Sequence, residues 1–86
     1  MDKYTVVFAR SARKELESLP DQVVERVLPR IEDLVDSPRP AGCRKLSGEQ
    51  NLWRIRIGDY RVIYSVDDRE RLVDIVAVRH RKDAYR

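Results

Sequence analysis

Residues 53–64 read WRIRIGDYRVIY, and the fold turns on this stretch. Apolar and polar residues alternate on both sides of Gly58-Asp59, the period-two pattern of two half-buried strands. A two-residue connection with glycine first suits a type II′ turn, whose twist matches that of the strands it joins. Such a turn pairs position 57 with 60, 56 with 61, 55 with 62 and 54 with 63. Trp53, Ile55, Ile57, Tyr60, Val62 and Tyr64 then share one face. Arg54, Arg56 and Arg61 share the other, with Arg56 directly across from Arg61. Like charges opposed across a strand pair repel, so stability alone would favour an acid at one of these positions. Three guanidiniums on one face suit phosphate oxygens, which they bind through planar forks. The plainer alternative is a solvated face whose arginines pair with acids such as Asp74 or point into water. A one-residue slip in register would exchange the two faces.

Working outward, KYTVVF at residues 3–8 is a short β-rich run and predicts a first strand. Ser11 is placed to cap a helix through about Leu19, with Ala12, Leu16 and Leu19 along one face. Pro20-Asp21 breaks and restarts the chain. A longer helix follows, its stripe formed by Val24, Val27, Leu28, Ile31, Leu34 and Val35. Pro29 falls on the side of Glu25 and Asp33, so it bends this helix toward solvent without ending it. DSPRPAG at 36–42 stops the helix, Cys43–Leu46 reads as a short strand, and SGEQN at 47–51 as a loop. Beyond the hairpin, DDRE at 67–70 is a looser turn into a last strand over Leu72–Val78. The whole is an α+β fold: an N-terminal strand, a two-helix hairpin, then an antiparallel β meander forming a small sheet with the helices on one face.

With 86 residues the chain makes a single domain, 1–86, with one modest core. No apolar run is long enough to span a membrane, and the charged N-terminal stretch is unlike a secretory signal. A lone cysteine, Cys43, forms no internal disulfide, which fits a reducing, cytoplasmic setting. Net charge is +3, and its placement is uneven. Residues 1–51 carry nine Lys/Arg against nine Asp/Glu; residues 52–86 carry nine against six. Every basic residue of the second part except Lys82 is arginine, a bias toward an anionic partner such as nucleic acid.

The tail RHRKDAYR, 79–86, follows the last strand and can lie near the arginine face. Arg79, Arg81 and Lys82 add cations. His80, the only histidine, could shuttle a proton near neutrality or simply lie exposed. Tyr85 could stack on a base, accept a proton, or anchor the terminus. One histidine and one cysteine, 37 positions apart, form no metal-ligand pattern. The three glycines are scattered and form no phosphate loop. Neither a metal nor a cofactor is expected.

YTVVFARSARKELESLP, LWRIRIGDYRVIY and the closing RHRKDAYR together resemble the RelE/ParE superfamily of toxins from toxin–antitoxin systems, over nearly the whole chain. The RelE branch implies a ribosome-dependent, metal-free mRNA endonuclease in which the message's own 2′-hydroxyl attacks the adjacent phosphate. By that resemblance, Arg61 holds the scissile phosphate and Arg81 stabilises charge or assists the leaving group. Tyr85 stacks on a base or takes the 2′-hydroxyl proton, and His80 is a further proton-transfer candidate. Arg54 and Arg56 stand where relatives often carry lysine and act as electrostatic clamps, since arginine does not readily give up a proton. Arg79 and Lys82 add phosphate contacts. The implied partners are a cognate antitoxin and the ribosome with mRNA in its decoding site; no membrane is involved, and DNA is reached only through the antitoxin. The ParE branch implies instead a non-catalytic inhibitor of DNA gyrase. A plain RNA-binding module is a third reading of the same arginines.

Overall fold

A computed structural model describes residues 3–46 and 51–82. Strand β1 (Thr5–Phe8) leads into helices α1 (Arg10–Glu17) and α2 (Asp21–Glu32), and a 3₁₀ turn, Asp33–Val35, extends the second helix. Strands β2 (Arg44–Lys45), β3 (Leu52–Ile57), β4 (Tyr60–Asp67) and β5 (Leu72–His80) follow. They form one five-stranded sheet in the order β1-β5-β4-β3-β2, antiparallel except for β1, which runs parallel to β5. The α+β architecture expected from the sequence is present. Of the 47–51 loop, residues 47–50 lie outside the described part.

The hairpin has the register its turn dictates. Ile57 pairs with Tyr60, Arg56 with Arg61, Ile55 with Val62 and Arg54 with Ile63. Gly58 has φ +60°, while Asp59 is not among the residues with positive φ, the combination a type II′ turn requires. Period-two alternation sends Ile55, Ile57, Val62 and Tyr64 inward, where they pack with Val73, Ile75 and Val78 of β5 and Val27, Ile31 and Leu34 of the helical layer. Val6 and Phe8, the inward pair of β1, lie against the same cluster.

Three local details differ from the sequence reading. Ser11 is not a cap: Ala9 occupies that position, with extended backbone and no capping side chain, and Ser11 sits inside the first turn. The last strand runs two residues further than expected, to His80, because β4 continues to supply it with hydrogen-bonding partners. Within it, Ile63 pairs with Ala77 while Tyr64 pairs with Ile75, leaving Val76 unopposed as a β-bulge. Pro29 is exposed and α2 runs through it.

A strap over the lower end of the sheet closes the core. The buried Tyr64 hydroxyl donates to the Pro38 carbonyl at 2.7 Å. Arg39 donates to both Asp68 oxygens, at 3.1 and 2.8 Å, and its guanidinium carbon lies 5.1 Å from the centre of the Trp53 ring. The Tyr4 hydroxyl donates to the same Asp68 at 2.6 Å. One carboxylate thus ties Tyr4, just before β1, to the 37–42 segment and the β4–β5 turn. Cys43 is half-buried against the core, as a small hydrophobe would be.

Candidate functional site

The sheet face away from the helices carries the arginines. Cross-strand register sets them in two rows. Arg44 opposes Arg54, and Arg56 opposes Arg61, which in turn opposes Arg79 on β5. The first row adds a residue that the sequence reading passes over. Its signal was the short strand at 43–46, but nothing in the sequence names the strand it pairs with.

Arg56 is exposed, whereas Arg54 and Arg61 keep only 8% and 7% of their surface. Burial is the first cause holding the Arg61 guanidinium below its ordinary value, followed by the charges of Arg56, Arg54 and Arg81. Arg54 is lowered likewise, by burial first and then by Arg56 and Arg44. Both groups stay cationic at neutral pH because arginine begins so high. A partly dehydrated guanidinium interacts with an arriving anion more strongly than one in bulk water. The face is therefore an electropositive surface with two cations set into its floor.

Arg81 follows β5 directly. Its backbone N–H donates to the Asp59 carbonyl at 2.7 Å, carrying the β4–β5 ladder one step past the strand. Its charge acts on Arg61. Lys82 is exposed, and its backbone N–H donates to His80 Nδ1 at 3.2 Å. Tyr85 lies outside the described residues.

Two expected members are not brought to this face. His80 pairs with Tyr60, so it shares the helix-facing side with Val62 and Tyr64. Its ring meets Tyr60 edge-on, centroids 5.2 Å apart, in a cleft between the end of α1 and β5. The cause is the bulge at Val76. Plain alternation from Ile75 would have set His80 beside Arg61, and the extra residue reverses that parity. Arg79 opposes Arg61 by register, but its Nε donates to the Glu15 carboxylate at 2.8 Å, at the sheet edge. Asp74, the acid considered as a neutralising partner, pairs with Ser65. That position is four residues along β4 from Arg61, about 13 Å away. Among the described residues, no group of three His, Cys, Asp or Glu side chains is placed to hold a metal ion. No described helix is long and apolar enough to cross a membrane.

Residues 6–85 match the family described as ParE toxin of type II toxin-antitoxin system, parDE. The chain is 37% identical over 87 residues to Toxin RelG of Mycobacterium tuberculosis, covering 96% of this chain and 97% of that protein. It is 29% identical to Toxin RelE of the same organism, over 96% of this chain and 87% of that one. Among solved structures, the RelE-RelB complex of Pyrococcus horikoshii aligns with a TM-score of 0.82 at 34% identity, covering 95% and 99% of the two chains. The toxin–antitoxin complex RelBE2 of Mycobacterium tuberculosis aligns at 0.80 and 32%, covering 91% and 98%. The five-stranded sheet backed by two helices, the arginine rows on its open face and these likenesses agree: the chain belongs to the RelE/ParE superfamily of type II toxins.

Proposed function

We propose that this toxin is an mRNA endonuclease acting on messages held in the ribosomal decoding site. The observation that supports it best is the direct opposition of Arg56 and Arg61, with Arg54 and Arg81 close enough to act on Arg61. A cluster of like charges on one face costs stability, and a phosphate that gathers developing negative charge offsets that cost. In the reaction, the 2′-oxygen attacks the adjacent phosphorus and the bond from phosphorus to O5′ breaks. The products are a 2′,3′-cyclic phosphate and a 5′-hydroxyl. Arg61 and Arg56 bind the non-bridging oxygens, whose charge is greatest in the pentacoordinate transition state. Arg54 positions the neighbouring phosphate. Arg81 steadies the leaving O5′, which takes a proton from water to become the 5′-hydroxyl, and Tyr85, as its phenolate, takes the 2′-proton, or else stacks on the flanking base. Ribosomal positioning of the message supplies the alignment that so small a surface does not impose on free RNA. The similar structures, a toxin–antitoxin complex RelBE2 and a RelE-RelB complex, support a cognate antitoxin for this chain.

The matched family's description as a ParE toxin favours a second reading, gyrase inhibition without catalysis. One experiment separates the two: purified toxin is added to a translating extract and message 5′ ends are mapped, alongside a gyrase supercoiling assay. New 5′-hydroxyl ends inside codons, absent with Arg61→Ala, are expected. Blocked supercoiling with intact message would instead establish the gyrase reading.

A further inference from the structure

The upper half of β5 has a hydrogen-bonded strand on one side only. β1 pairs with β5 no further than Ile75, and the Ala9 N–H donates to the Ile75 carbonyl as the chain turns into α1. Beyond that point Glu15, on α1, takes the place of a strand. One of its carboxylate oxygens accepts from the Val78 N–H at 3.1 Å and the other from Arg79 Nε at 2.8 Å. Register alone would make Arg56, Arg61 and Arg79 a continuous row of three cations across three strands. The third is drawn off to the edge.

We propose that Glu15 is a positioning residue of the arginine face: it holds the Arg79 guanidinium out of the phosphate surface and fixes the strand end from which Arg81 projects. This rests on the reading of that face as an RNA phosphate surface. With Arg79 withdrawn, the negative charge of the scissile phosphate meets Arg61 and Arg81 without a competing cation between them. A freed Arg79 would bind RNA more tightly while drawing phosphate away from the reacting position. Uniform binding of that kind does not raise the rate of the chemical step.

The test uses the full-length toxin and a 2′-O-methyl single-stranded RNA, which binds but has no 2′-hydroxyl to attack. The salt dependence of its affinity reads the number of phosphates engaged, about 0.7 in slope for each on a single strand. Glu15→Gln, which keeps an oxygen for the Val78 N–H but loses the charge, is expected to steepen the slope by about 0.7. It is also expected to lower kcat severalfold on ribosome-bound message without raising KM. Glu15→Gln combined with Arg79→Ala is expected to return the slope to that of the unaltered toxin. If Glu15→Gln does not fold, Glu15→Asp, one methylene short of Arg79, gives the same direction. An unchanged slope in a folded Glu15 variant, or a slope that stays steep after Arg79 is removed, overturns the proposal. Arg56→Ala is the control for the surface itself. Should it fail to flatten the slope, the phosphate-face reading is lost, whatever Glu15 does.

Discussion

Arg61 sits at the junction of everything the site does. It is the central member of its row, it is buried, and the charges of three other arginines act on it. That arrangement was readable from WRIRIGDYRVIY because strand alternation and a two-residue turn leave little freedom in placing these side chains. The burial of Arg54 and Arg61 was not readable, since it depends on how neighbouring side chains pack around them and not on periodicity. Tyr64 shows the same limit on the inner face. Its place in the core follows from alternation, but the partner of its hydroxyl, the Pro38 carbonyl, is 26 residues away in sequence. Burial first, with the Cys43 thiol adding to it, raises its phenol above the ordinary tyrosine value. Tyr64→Phe removes the donor and keeps the ring. It is expected to cost about 1 kcal/mol in urea unfolding, leaving the arginine face unaltered in RNA binding.

At the level of elements, the β3–β4 hairpin and the bulge in β5 set the site. Gly58 has φ +60°, and a Cβ there would come within 2.9 Å of the Arg26 Nη2 atom. A flexible side-chain end can move aside, so the backbone conformation is the larger obstacle. Gly58→Ala should therefore destabilise the fold by about 1 kcal/mol. Trimming Arg26 to alanine in the same chain should not restore that loss, which urea melts of the single and double variants would check. The bulge explains why the tail was harder to place than the hairpin. A single extra residue at Val76 sends His80 to the helix side and turns Arg79 toward the outer face, where Glu15 then captures it. Nothing in IVAV, residues 75–78, marks which residue goes unopposed, because each is a small apolar or β-branched side chain. The pairing of Arg44 with Arg54, made between strands joined by a loop, was equally out of sight.

On the scale of the whole molecule, helices and core lie on one side of the sheet and the guanidiniums on the other, with the Asp68 strap holding the sheet's lower end. Hydrogen bonds from Arg39 first, then Tyr4, lower the Asp68 carboxyl from 3.8 to about 2. Because the folded value is depressed, its contribution to stability is present in full above the ordinary carboxylate range and is lost as pH falls from there toward 2. A drop in Tm between about pH 4 and pH 2, smaller in Asp68→Asn and smaller again in high salt, is the expected result in thermal melts. The guanidiniums of the arginine face keep their charge through that range. On the proposed reading, their contribution shows in message cleavage. The most direct measurement is the single-turnover rate at which Arg61→Ala cuts message on programmed ribosomes, with folding verified by its thermal melt. A loss of about a hundredfold or more is predicted, the scale of removing one preorganised charge donor from a transition state. A folded Arg61→Ala that cleaves at the full rate would contradict the account.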